Sequence, residues 1–133
     1  MRYMLDSNIC IYIIKRKPKN VLIKLKECRQ HGLAISAITL AELEHGVSKS
    51  EHREKNRDSL TQFLTIVDVL PFDSSAAYEY GKIHADLQRK GKLIGPLDML
   101  IAGHAVSKGL VLVTNNMREF ERVDKLVAED WTV

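Results

Sequence analysis

Cysteine is scarce in this chain: two residues, Cys10 and Cys28, with no Cys-x-x-Cys spacing. Reduced, packed thiols are therefore expected, as in a cytosolic protein. The five histidines (His31, His45, His52, His84 and His104) form no His-x-x-x-His pair and no Cys/His cluster, which argues against zinc. Long apolar runs are also missing. None approaches the roughly 20 residues of a membrane span, and the first residues lack the apolar core and cleavage site of a signal peptide. With only three prolines and seven glycines, the chain has no stretch that reads as a linker, and it has no repeats. One cytoplasmic domain covering residues 1–133 is the expectation.

What is present is an ordinary globular mixture, 45% hydrophobic and 28% charged, which is enough apolar material for a core. The net charge of +3 permits a nucleic-acid partner without demanding one. The apolar pattern alternates between strands and helices. Residues 2–5 read as a strand, and Asp6-Ser7-Asn8 offers side-chain oxygens to cap a helix over 9–15. Pro18 suits the first turn of a second helix that Gly32 ends. Residues 33–36 form a compact apolar strand, and Thr39 with Glu42 matches a capping box at the start of the next helix.

A polar stretch, 49–58, leads into a helix ending near Ile66, and 67–70 read as a third strand. Asp73 caps a long helix with the stripe Ala76, Ala77, Tyr80, Ile83, His84 and Leu87, stopped by Gly91. Gly95-Pro96 introduces a helix over 97–107 that Gly109 ends. Residues 110–114 are the clearest strand, 115–122 a loop or short helix, and 128–133 an edge strand. This alternation predicts an α/β fold: a mainly parallel sheet of four to five strands between two layers of helices. Ligands of such sheets sit beyond the carboxyl ends of the strands.

Acids occupy those positions. Asp6 follows the first strand, Glu42 opens the helix after the second, Asp98 opens the helix before the fourth, and Glu119 follows the fourth. Each alone also reads as a helix cap or a solvated surface charge. Together on one rim they form a carboxylate cluster, whose oxygens suit Mg²⁺ or Mn²⁺ and which repels itself without a cation. Such a site can activate water and stabilise charge on a phosphodiester.

At these residues the chain resembles the PIN-domain family, most closely the VapC-type toxins of enteric-type bacteria. The matching segments are Met4-Leu5-Asp6-Ser7-Asn8, Ile38 to Gly46 around Glu42, Gly95 to Ala102 around Asp98, and Leu112 to Asn116 with Glu119-Phe120. They fall in order across nearly the whole chain. The resemblance implies a three-layer fold and a Mg²⁺-dependent endoribonuclease that is the toxin of a toxin–antitoxin pair. It implies Asp6 and Asp98 as metal ligands, Glu42 as the second acid, and Asn8 and Thr114 as supporting residues. Many members carry Asp at the position of Asn116, so Glu119 becomes the candidate for that carboxylate role. Glu42 or Glu119 would position or deprotonate a water for in-line attack, leaving a 5′-phosphate and a 3′-hydroxyl.

The implied partners are tRNA, with the initiator anticodon stem-loop favoured, a small VapB-type antitoxin that alone would mediate contact with DNA, and a second copy of the chain. Candidate RNA contacts are Lys15, Arg16, Lys17 and Lys19, with Arg89, Lys90 and Lys92 as a second group. Three other readings stand beside this one. They are a nuclease of the same fold acting on other RNA or DNA, a non-catalytic nucleic-acid-binding regulator, and a phosphatase using Asp6 as nucleophile. The last needs a second Asp where this chain has Asn8.

Overall fold

The computed structural model describes residues 2–133. Five strands, β1 (Tyr3–Leu5), β2 (Leu33–Ser36), β3 (Asp68–Leu70), β4 (Val111–Val113) and β5 (Ala128–Glu129), form one sheet. Their spatial order is β3-β2-β1-β4-β5, and every pairing is parallel. Seven helices surround the sheet: α1 (Ser7–Lys15), α2 (Lys19–Cys28), α3 (Ala37–Lys49), α4 (Arg53–Phe63), α5 (Ser74–Arg89), α6 (Pro96–Lys108) and α7 (Met117–Phe120). No helix among the described residues is long and apolar enough to cross a membrane.

The central strands are buried along their whole length because side chains of both faces meet helices. Tyr3 and Leu5 join Leu33, Ile35 and Val113 under α1 to α4, while Met4, Ala34 and Leu112 face α5, α6 and α7. Strand order reverses at β1: the chain passes from β1 to β2 and β3 on one side, then returns to β4 and β5 on the other. That switch point opens a crevice beyond the carboxyl ends of β1 and β4.

Most expected elements are present, with local differences. The Thr39–Glu42 capping box does not form. Ser36 is the N-cap of α3, accepting from the Ile38 N–H at 3.1 Å, because the helix starts as soon as the strand ends. Thr39 is fully buried within the first turn, its hydroxyl without a partner among the described residues. Glu42 is therefore in the second turn of α3 rather than at its start. Pro18 is the N-cap of α2 and not its first helical residue. The polar stretch after Lys49 is itself largely helical, since α4 begins at Arg53 and ends at Phe63, short of Ile66. Of the stripe on α5, Ala76 and Leu87 are buried and Ala77 is exposed. The last strand is only Ala128–Glu129; beyond it Trp131 is fully buried, edge-on to Tyr3 with ring centroids 5.5 Å apart. Cys10 and Cys28 are free and buried.

Helices α5 and α6 pack closely at Gly103, where an added Cβ would lie 2.7 Å from the backbone of Tyr80. Backbone cannot yield as a side-chain tip can. Gly103→Ala is expected to lower unfolding free energy by about 1–3 kcal/mol, read as a lower urea midpoint with an unchanged slope. An unchanged midpoint would mean that the helices separate at little cost.

Candidate active site

Asp6 is the first residue beyond β1 and the N-cap of α1, its Oδ1 accepting from the Ile9 N–H at 3.0 Å. Only 6% of it is exposed. Burial raises its pKa, the Thr114 hydroxyl and the Ile9 N–H lower it, and the Glu42 and Asp130 charges raise it again; the net shift is upward. Asp6 is thus held as an acceptor in a place that resists its charge.

Asp98 enters from the opposite side, in the first turn of α6, which the helix macrodipole favours for an anion. Its side chain folds back towards Gly95, where a Cβ would come 3.3 Å from Asp98 Oδ2. Its pKa is pushed up to about 7, first by burial, then by a hydrogen bond to and the charge of Glu119, then by the charges of Asp6 and Glu42. Four carboxylates from four separate segments therefore share one field.

The other two are fixed by neighbours. Ser7 Oγ donates to Glu42 Oε1 at 2.6 Å, tying the start of α1 to α3. Asn116 Nδ2 donates to Glu119 Oε2 at 2.8 Å, and the Asn116 N–H donates to Thr114 Oγ1 at 2.9 Å. The Asn116 amide orients the acid rather than adding one. Asn115 Nδ2 in turn donates to Tyr12 OH at 2.9 Å, which anchors this loop to α1. Asn8 is exposed beside Ser7 and Glu42 on the wall of a groove that opens from the site.

The donor set is all oxygen, which suits a hard divalent cation. Among the described residues no three His, Cys, Asp or Glu side chains are drawn to one point at metal-binding distance. The fit is instead chemical. Asp6 and Asp98 both have raised pKa values and, among the described residues, enter no ion pair, the condition that a divalent ion relieves.

The basic residues are dispersed more than their sequence runs suggest. Lys15 lines the groove with Asn8 and Glu42, whereas Arg16 lines a cleft bounded by α1, α2 and α4. Lys17 lies by Tyr12 and Pro18 in a hollow that Lys15 also borders. Lys90 Nζ is held by Asp86 at 2.9 Å and Asp124 at 3.0 Å, and Arg89 borders a separate hollow along α5. Lys19 and Lys92 are exposed.

Sequence reasoning missed four contributors: Ser7 as the partner of Glu42, Tyr12 as the anchor of the loop after β4, Gly95 against Asp98, and the buried pair Ser36–His104. In that pair Ser36 Oγ and His104 Nδ1 are 2.7 Å apart and link β2 to α6. All four depend on side chains far apart in sequence or on a backbone approach, for which no local pattern exists.

A parallel sheet between helices, with an acidic crevice at its switch point, defines a class of oxygen-ligand hydrolytic sites. The chain belongs to the PIN domain family, whose pattern matches residues 3–126. It is 47% identical over 132 residues to the tRNA(fMet)-specific endonuclease VapC of Shigella flexneri, covering 99% of both chains. It is 42% identical to ribonuclease VapC2 of Rickettsia felis, covering 98% of both. A chain in the crystal structure of VapBC2 from Rickettsia felis, bound to a DNA fragment from their promoter, superposes with a TM-score of 0.93. That chain is 41% identical, with 98% of this chain and 99% of that one covered.

Proposed function

We propose that this chain is a cytoplasmic, divalent-metal-dependent endoribonuclease of one domain, residues 1–133, and the toxin of a VapBC-type pair that cleaves tRNA. The observation that carries the reading is Asp98: its carboxyl is pushed up to about 7 in a crevice it shares with Asp6, Glu42 and Glu119. A structural helix cap gains nothing from such crowding, whereas a cation site requires it. The initiator-tRNA preference and the VapB-type antitoxin rest on the likeness to the Shigella enzyme and the Rickettsia complex. Self-association as a homodimer rests on the family resemblance alone.

Asp6 and Asp98 would hold Mg²⁺, with Mn²⁺ as a substitute. When bound, the ion supplies positive charge for the phosphodiester and acidifies water. The chain's own groups do the rest. Thr114 and the Ile9 N–H hold Asp6 in its orientation. Ser7 occupies one oxygen of Glu42, leaving the other as acceptor for the proton of the attacking water. Asn116 fixes Glu119, which shares the field of Asp98. Water attack in line with the departing 3′-oxygen leaves a 5′-phosphate and a 3′-hydroxyl, with no part for the ribose 2′-hydroxyl.

The test is incubation of total tRNA with the purified, antitoxin-free protein in Mg²⁺, in EDTA and with an Asp98→Asn variant. Discrete fragments with 5′-phosphate ends, seen only with wild type and Mg²⁺, support the reading. Fragments ending in 2′,3′-cyclic phosphate, or cleavage that survives EDTA, would overturn it. Ser7→Ala is expected to lower kcat by about tenfold with KM little changed, because Glu42 loses its orienting donor. Ser7→Thr retains the hydroxyl and is expected to restore most of the rate; equal losses in both variants would separate Ser7 from the chemistry.

A further inference from the structure

An open groove of about 520 Å³ leads away from the acidic crevice between α1 and α3. Both helices start at the carboxyl ends of adjacent parallel strands, so they run side by side away from the crevice. Ser7 and Glu42 stand at the crevice end; Lys15 and Lys49, in the last turns of the same two helices, also line the groove. Lys15 is eight residues beyond Ser7 and Lys49 seven beyond Glu42. At helical rise these cations lie about 10–12 Å along the groove. The rest of the lining is mixed: Ile11 and the largely buried Leu43 and Leu60, with the polar side chains of Asn8, His45, Asn56 and Ser59.

Lys15 and Lys49 are set apart by lining this groove, since many other cations, among them Arg16, Lys17, Lys24 and Lys26, also enter no ion pair among the described residues, while a few are engaged. Arg57 is held by Glu44, Lys82 by Glu79, Lys90 by Asp86 and Asp124, and Lys108 by Asp73. Arg122 donates to the Leu93 carbonyl. Among the described residues Lys15 and Lys49 enter no ion pair, and both are exposed. One end of the groove therefore collects negative charge and the other presents positive charge, with a mixed apolar and polar surface between.

We propose that this groove is the track of the single-stranded RNA segment flanking the scissile phosphate, with Lys15 and Lys49 gripping a backbone phosphate about two nucleotides away. The assignment deepens the ribonuclease reading above and rests on it for the position of the scissile phosphate. A chain with phosphates at regular spacing satisfies both ends at once. One phosphate is taken at the acidic end together with a divalent cation, and a later one is taken by the lysines. The nucleotides in between lie over the mixed surface, and the phosphate contacts add affinity without selecting a sequence. It also gives the bound strand a direction: it leaves the crevice over α1 and α3, not over α5, where Lys90 is already neutralised.

The test reads binding directly, so that it does not depend on cleavage. In an Asp98→Asn background, fluorescence anisotropy follows a short fluorescein-labelled single-stranded RNA at several salt concentrations. Lys15→Ala with Lys49→Ala is expected to raise Kd about tenfold or more and to reduce the salt slope by about 0.7, the value for one lost phosphate contact. Lys24→Ala with Lys26→Ala removes the same charge from α2, outside the groove, and is expected to shift neither. Substituting arginine for both groove lysines is expected to keep both values. With otherwise wild-type protein, the alanine pair is expected to raise KM for tRNA by a similar factor and leave kcat within about threefold.

An unchanged Kd and slope would overturn the proposal, as would an equal effect from the α2 pair. Loss of binding to the antitoxin with RNA binding intact would also overturn it, by making the groove a peptide site. Failure of the wild-type protein to cleave any RNA, with the binding results as expected, would count against the ribonuclease reading and leave the groove as a single-stranded RNA site with no scissile phosphate.

Discussion

Replacing Asp98 with asparagine is expected to abolish tRNA cleavage while making the metal-free protein harder to unfold. The loss of activity, about 10³-fold or more, follows from removing a carboxylate that would hold the cation supplying charge and an acidified water. The gain in stability follows from the same field. Asp98 has its pKa raised from 3.8 to about 7 in the folded chain, by burial first and by Glu119, Asp6 and Glu42 next. A raised folded pKa means that the folded state holds the proton more tightly than the unfolded state. The contribution of Asp98 is therefore fully favourable below pH 3.8, declines as pH rises, and is lost above about 7. Asparagine carries no charge at any of these values. The difference in Tm between Asp98→Asn and wild type, both in EDTA, should grow from pH 4 to pH 7 and then level off. A Tm difference that is flat across this range, or wild type more stable at pH 8, would remove the crowded carboxylate from the account.

Magnesium is expected to stabilise the wild-type protein by relieving the same repulsion. At pH 8, with Mg²⁺ at about 100 times its Kd, binding adds about 2.7 kcal/mol of stability, a rise in Tm on the order of 5–10 °C. At pH 5 the rise should be much smaller, because Asp98 is then protonated and the ion must displace that proton. Asp98→Asn and Asp6→Asn should each remove most of the shift. Because the readout is thermal, it tests the cation site separately from catalysis. A Mg²⁺-induced shift that persists in both variants, or that is as large at pH 5 as at pH 8, would place the ion elsewhere.

How far the site could be read in advance depended on how local each signal was. Asp6 and Asp98 were legible because each lies within a short apolar-to-acid segment at an element boundary, where β-period and helix-period patterns meet. Glu42 was found as an acid but placed at the wrong point in its helix. Both Ser36 and Thr39 are competent N-caps by type, and only the burial of Thr39 and the immediate turn after β2 decide for Ser36. The basic run Lys15-Arg16-Lys17 reads as one patch in one dimension. The left-handed backbone of Arg16, φ 58°, ends α1 there and sends the Arg16 side chain to a different surface from Lys15 and Lys17, which share a hollow beside Tyr12 and Pro18. Lys90 looked as available as its neighbours until Asp124, 34 positions away, came within 3.0 Å of it.

The sequence by itself determined the elements and their kind, since strand and helix periodicities, helix stops at Gly91 and Gly109, and side-chain caps at Asp6 and Asp73 all act over a few residues. It also determined which residues can be charged. Only the tertiary structure decided which of those charges meet, that Asp98 titrates near 7, that Ser7 holds Glu42, and that Lys15 and Lys49 end one groove. Those properties depend on separation and on exclusion of water, and both arise when helices distant in the chain pack on the same sheet.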